Sequence, residues 1–208
     1  MDRIPRLFVR KGNLVWPEGR RQWRVLVKAT DDIVATAQAL FRKHEDLYVV
    51  DVDGLEHSHA NHDLYQRFER AQVFPWLEAG LRRIEDVMDA FFVGASRVTV
   101  RLRDMPPARL RELAAIAEEE IHLSLDAGRD GLEKGWRGAD VASFVRSSGL
   151  DGVVLEAMHD AEPSHLDPVA FDLQHAGVPV TIAPWPATRP RVRQERYTAM
   201  LFDPEDAR

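Results

Sequence analysis

Short apolar runs alternate with stretches of helical periodicity along most of the chain. Residues 7–9 are apolar, and after the turn residues Lys11, Gly12 and Asn13 so are residues 14–16, which predicts a first strand with a hairpin-like extension. Thr30, Asp31 and Asp32 offer capping oxygens ahead of a helix over 33–43, where Ile33, Ala37, Leu40 and Phe41 share one face. The apolar run 47–50 ends in Asp51-Val52-Asp53-Gly54. Residues 61–70 read as helix and 73–77 as a short strand ending in Glu78-Ala79-Gly80. Ile84, Val87, Met88 and Phe91 form a helical stripe, 97–102 is β-rich, and Pro106-Pro107 opens a helix running to about residue 119. The strand 121–125 ends in Asp126, and the helix 139–147 is closed by Gly149. Strands at 152–155 and 178–182 flank a helix at 167–175, and 197–202 forms a short eighth strand.

Repeated strand–helix alternation without consecutive hairpins calls for a parallel sheet with crossover helices. An open doubly wound sheet and a closed barrel both satisfy it. No glycine-rich phosphate fingerprint follows the first strand, and polar residues sit at many strand ends: Asp51, Glu78, Arg101, Asp126 and Glu156. The predicted fold is therefore α/β, a compact (β/α)8 TIM barrel of parallel strands forming one domain over residues 1–208. The Pro/Arg-rich stretch 183–193 lies where a seventh helix belongs, so the last βα unit is read as abbreviated.

Composition narrows the function classes. The 208 residues include 28 Lys+Arg and 34 Asp+Glu, a formal charge of −6, which argues against a nucleic-acid partner. With 0 cysteines there is no disulfide scaffold, Cys-ligated zinc, iron–sulfur cluster or thiol nucleophile. No leader-like or membrane-spanning apolar run is present, so the expected setting is cytoplasmic, with no membrane partner.

Four stretches then carry a family resemblance: LYVVDVDG (47–54), EAGLRRIEDV (78–87), GASRVTV (94–100) and HLSLDAGRDGLEKGW (122–136). They resemble the barrel isomerases of histidine biosynthesis, above all the phosphoribosylformimino-aminoimidazole-carboxamide ribotide isomerase, whose stretches read approximately VVDLDGA, GGGIRSLEDV, GVSRVIIGT and VSLDARDGKVATRGW. Ile4-Pro5 also suits the family's opening IPAIDL. The resemblance implies an acid–base pair of two aspartates, one on the first strand and one on the fifth. Asp126 stands at the fifth-strand position, but Phe8 stands at the first, and a phenyl ring neither gives nor takes a proton. Where the family has a Thr and then an Asp-Gly pair after the sixth strand, LEAMHDAEP (155–163) supplies Glu156 and Ala161. The glycine-rich phosphate loops are also altered, to Glu78-Ala79-Gly80, Val100-Arg101-Leu102 and Ala183-Pro184-Trp185. The resemblance thus implies a relative that has lost the histidine-pathway reaction, of a type associated with methanogen-like one-carbon coenzymes.

The candidate catalytic residues are Asp126, Glu156 and Glu78, each at a strand's C-terminal end. Asp126 either faces the barrel mouth or caps the following loop. Arg101, with Arg103 two residues on, either clamps an anionic substrate or neutralises a carboxylate. Asp51 and Asp53, two apart on an extended chain, reach the mouth together or build a turn at Gly54. His159 and Trp185 are further substrate-binding candidates, Trp185 together with Trp136, Trp76 and Phe8 as aromatic surface for a planar ring, a barrel plug or an oligomer interface. His57, His59 and His62 could bind a metal with Asp51 or Asp53 only if the loop converged, and no metal or other cofactor is assigned. The expected ligand is a small anionic metabolite, and a homo-oligomer is compatible with the sequence. Two readings stay open: an isomerase-, lyase- or synthase-type enzyme, and a catalytically inactive binding or scaffold protein.

Overall fold

The first strand, β1 (Asp2–Arg10), turns back through Lys11 and Gly12 into β2 (Asn13–Gly19), which pairs on its far side with β3 (Gln22–Val27). Both turn residues have positive φ, 49° and 70°, the conformation that matches a two-residue hairpin to the twist of its strands. The structure is a computed structural model and describes residues 1–19, 22–27, 33–128, 131–158, 163–184 and 197–202. The helix start at Thr30-Asp31-Asp32 lies outside the described residues, as do His159, Trp185 and the Pro/Arg-rich stretch beyond Pro184.

After the hairpin come α1 (Ile33–His44), β4 (Tyr48–Asp51), α2 (Val52–His57), α3 (His62–Arg70), β5 (Trp76–Glu78), α4 (Ile84–Phe92) and β6 (Arg97–Arg101). The second half of the chain holds α5 (Pro107–Ile116), β7 (Glu120–Gly128), β8 (Gly131–Leu132), a 3-10 turn (Glu133–Gly135), α6 (Gly138–Ser148), β9 (Gly152–Ala157), α7 (Pro163–His175), β10 (Val180–Pro184) and β11 (Ala199–Phe202). The strand order is β11-β10-β9-β7-β6-β5-β4-β1, with β11 also pairing with β1, β2 and β3 continuing outward from β1, and β8 pairing with β7. This is the (β/α)8 barrel that the alternation predicts. Its parallel strands run β7-β9-β10 and β1-β4-β5-β6, with register shared residue by residue.

The chain divides into two compact units. Within the unit of residues 4–100, strand register stacks side chains in rows. Arg6, Tyr48, Trp76 and Arg97 are mutual partners in one row, and Phe8, Val50, Glu78 and Thr99 in the next. Tyr48 meets Trp76 edge-on at 5.0 Å, the Trp76 indole N–H donates to Thr99 Oγ1 at 2.7 Å, and the Arg97 guanidinium lies 4.9 Å over the Trp76 ring. Residues of opposite parity, among them Val9, Val49, Leu77, Val98 and Val100, are fully buried. Each such aliphatic chain contributes roughly 1.5–3 kcal/mol over leaving it in water. Trp76 is thus a core residue, 1% exposed, and not aromatic surface at a mouth.

The second unit comprises residues 1–3 with 101–202. One row pairs His122 with Gly152, Ser124 with Val154 and Asp126 with Glu156 on the neighbouring parallel strands β7 and β9. Thr198, just before β11, accepts from Asp2 N–H at 3.0 Å and donates to the Val180 carbonyl at 2.7 Å, so the start of the chain completes this unit.

Several boundaries differ from the sequence reading, among them these three. The segment after Asp51 is helical, not extended: α2 begins at Val52 because the Asp51 side chain accepts from the backbone N–H groups of Asp53 and Gly54. β5 is only three residues long, since Pro75 has no N–H to give to a ladder. α7 begins at Pro163, four residues before the predicted start, and carries Pro168 inside its first turns.

Candidate functional site

In the unit of residues 4–100, the end of β4 is a hub built on one carboxylate. Asp51 is fully buried, and its two oxygens accept from Asp53 N (3.1 Å), Gly54 N (3.2 Å), Asn61 N (2.7 Å), Asn61 Nδ2 (2.8 Å) and the Tyr65 hydroxyl. Burial, followed by the charge of Asp51, pushes the Tyr65 hydroxyl well above its ordinary value, so it stays a donor. Asp53 accepts from Lys11 N–H in the β1–β2 turn and from Asn61 Nδ2 at 3.3 Å. Arg10 reaches Glu56 on α2 at 3.0 Å. These contacts pin the hairpin turn, α2 and the start of α3 to one another. Asp51 and Asp53 act here on different donors from a helix cap, not side by side on an extended strand.

Glu78 ends β5, 1% exposed, and accepts from the Tyr48 hydroxyl at 3.1 Å. It stands in the same row as Phe8, two strands away. The Phe8 ring is covered by Trp23 of β3 at 5.9 Å and by the Arg6 guanidinium at 4.8 Å. Trp23, which periodicity did not single out, is therefore the aromatic neighbour of the first-strand position.

The three histidines do not converge. His57, His59 and His62 are exposed; His57 lies 3.7 Å from Glu56, and the His62 ring meets Tyr65 edge-on at 6.0 Å. The helical turn at 52–57 replaces the extended alternation that would set His57 and His59 on one side. Among the described residues no group of three or more His, Cys, Asp or Glu side chains is placed to hold a metal ion.

In the unit of residues 101–202 the charges gather at the end of β7. The chain leaving β6 turns tightly on the Arg101 carbonyl, which accepts from Asp104 N at 3.0 Å and Met105 N at 3.2 Å. The turn brings Arg103 to Asp126, Nη1 to Oδ2 at 2.6 Å. Beyond Gly131 the short strand β8 folds back on β7, setting Leu132 against Ala127, and the next residue, Glu133, accepts the Asp126 backbone N–H on Oε1 at 3.3 Å. Lys134 follows in the left-handed region at φ 56° and donates to the Leu102 carbonyl at 3.5 Å. Burial first, then the charge of Asp126, raises the Glu133 carboxyl above the usual carboxylate range. Glu156 is the in-register neighbour of Asp126, and Arg101 is half-buried at the end of β6. Trp136 packs edge-on against Phe144 of α6 at 5.7 Å.

Glu133 is the member of this group that sequence reading missed. Its signal was present in hindsight only as Lys134-Gly135, whose two successive left-handed conformations carry the chain back.

A family model described as "Histidine biosynthesis protein" matches residues 4–161, more than half of the chain, and the chain belongs to that family. Fold and family together make it a biosynthetic barrel of the isomerase or synthase type. No curated protein matches the chain. Among the described residues no helix is long and apolar enough to cross a membrane.

Proposed function

We propose that this protein is an enzyme of small-molecule or coenzyme biosynthesis that moves a proton on a small anionic metabolite, and that it no longer isomerises the histidine-pathway ribotide. The observation that carries the proposal is the grouping of Asp126, Arg103 and Glu133 at the end of β7. Glu133 is tied to the Asp126 backbone N–H while the Asp126 carboxyl is bound to a guanidinium, so the two carboxyl groups are held in unlike environments, and that inequality is what acid–base chemistry at one centre requires. Asp126 is the proton-transferring carboxylate, Glu156 its in-register neighbour, and Arg101 the cation for a phosphate or carboxylate of the substrate. Glu78 gives the row of Phe8 its carboxylate, and Asp51 and Asp53 shape the loop after β4. His159 and Trp185 remain candidates for substrate contact.

Loss of the histidine-pathway reaction is supported by Phe8, whose ring is packed under Trp23 where the family's first acid belongs. The link to tetrahydromethanopterin- or methanofuran-type coenzymes rests on the departures of the chain from the family's phosphate loops and first-strand acid. The second reading, an inactive binding or scaffold protein, is favoured by the same Phe8–Trp23 contact.

Solvent exchange separates the two. The purified protein in D2O, given a panel of phosphorylated aldoses, ketoses and aminoketoses, is expected to introduce deuterium next to the carbonyl of at least one member, and Asp126→Asn to abolish it. A thermal shift with panel members but no deuterium uptake supports the scaffold reading. Turnover of the histidine-pathway ribotide would overturn the claim that this reaction is lost.

A further inference from the structure

We propose that Glu133 is the second proton-carrying group of this site, working opposite Asp126 in the role that the family assigns to a first-strand acid and that Phe8 does not fill. The inference rests on the reading of the β7 end as a centre of proton transfer. Three independent features of the chain converge on it.

The first is placement. Glu133 is separated from Asp126 by seven positions, yet the β7–β8 hairpin returns it to the Asp126 backbone, 3.3 Å from N to Oε1. Among the described residues its carboxyl receives this one backbone donor, on Oε1. The second is that the placement is held against a conformational cost. Lys134, a residue with a β-carbon, sits at φ 56° and Gly135 at φ 71°, and the lysine is tied to the Leu102 carbonyl. A left-handed lysine is disfavoured relative to ordinary helical backbone, and such outliers concentrate where position matters more than stability. The third is the asymmetry of charge. The groups that face Glu133 are Asp126 from β7, Arg103 from the loop after β6, and Lys134 on its own turn. Arg103 pairs with Asp126 and not with Glu133, while burial and the nearby Asp126 charge favour the acid form of Glu133.

The chemistry balances on these two groups. The Asp126 carboxylate takes the proton from the carbon next to a C=O or C=N bond. The C–H electron pair becomes a C=C bond as the former π pair moves to the heteroatom, which takes the proton of Glu133. Collapse toward the isomer returns the Asp126 proton to the adjacent carbon, and the Glu133 carboxylate recovers a proton from the second heteroatom. No oxidant or reductant is involved, and both residues end in their starting states.

The test uses the full-length protein, with deuterium uptake on the phosphosugar panel read as a function of pH. Glu133→Gln is expected to lower the exchange rate by about 100-fold and to remove the fall in rate at high pH, since a general acid must be protonated. Glu133→Asp restores part of the rate and the high-pH limb. Exchange by Glu133→Gln within twofold of the unaltered protein, with the same pH profile, overturns the inference while leaving the enzyme reading in place. If no panel member exchanges with the unaltered protein, the enzyme reading fails on its own, and carboxyl 13C NMR decides the arrangement. Glu133 titrating above the other glutamates, and moving down in Asp126→Asn, supports the pairing. Glu133 titrating as an ordinary surface glutamate, unmoved by Asp126→Asn, overturns it.

Discussion

Asp51 and Glu133 are both carboxyl groups at strand-end positions, yet their surroundings give them opposite duties. Asp51 receives five donors from its own chain, two of them side chains, and leaves nothing for a ligand. Its loss or the loss of a donor is a stability event. Tyr65→Phe removes one buried hydroxyl from an anion and is expected to cost about 1–3 kcal/mol, read as a lower denaturation midpoint at unchanged m-value. Glu133 receives one backbone N–H and is pushed toward its acid form. A carboxyl whose folded-state pKa is raised binds its proton more tightly when folded than when unfolded. Its stabilising contribution is full below the ordinary glutamate range and is lost as pH rises through the raised value. Glu133→Gln should therefore gain on the unaltered protein as pH climbs from about 4 toward neutrality, measured as the difference in Tm across that window. A difference that stays constant across that window would show that Glu133 is an ordinary solvated side chain.

Among the elements, the loops after β4 and β5 depend on two glycines. A β-carbon on Gly54 would lie 2.3 Å from the Ala79 carbonyl oxygen, and one on Gly80 would lie 2.5 Å from the Gly54 carbonyl oxygen, with Gly80 also at φ 62°. Neither obstacle is a flexible side chain, so both backbones must move. Gly80→Ala is expected to cost about 3 kcal/mol in chemical denaturation, against about 1 kcal/mol for Gly149→Ala, where φ is 81° but the space is open. Equal costs would mean that the close approach relaxes freely. Most elements around these loops were legible from periodicity: β4, β7, β9 and β10 sit on the apolar runs, and α3, α4 and α6 on the helical stripes. Gly149, at φ 81°, closes α6 as its place in the sequence predicts. What escaped was short and tertiary. α2 has six residues and a glycine, poor helix material by propensity, and it forms because Asp51 caps it and Asn61 and Tyr65 hold Asp51. β3 has no clean alternation, because both of its faces carry exposed residues. Glu133 was hidden because its neighbour Asp126 is reached only through a reversal of the chain, which hydropathy does not encode.

For the whole molecule, the order of strands followed from alternation and from the rule that parallel neighbours need crossovers, and the final strand completes it. β11 pairs with β10 through Thr181–Ala199 and Ile182–Met200, and Thr198 holds both Asp2 and Val180. Ending the chain after residue 196 would leave β10 with an open edge and Asp2 N–H without its acceptor. The shortened protein is expected to lose its cooperative thermal transition or to aggregate; retention of the full-length Tm would show that β11 is dispensable. The two polar groupings differ in how completely they are satisfied, and that difference governs inheritance as much as chemistry. In residues 4–100 the Asp51 hub has every oxygen occupied, so a change there is felt first as a loss of protein abundance. At the β7 end, Asp126 and Glu133 have fewer partners, and under the proposed function substitutions there can pass unnoticed by the folding machinery while the activity disappears. Under the proposed function, lineages descending from this sequence would thus be held at Asp51, Asn61 and Tyr65 by survival of the protein itself, and at Asp126, Arg103 and Glu133 only for as long as the organism still needs the product.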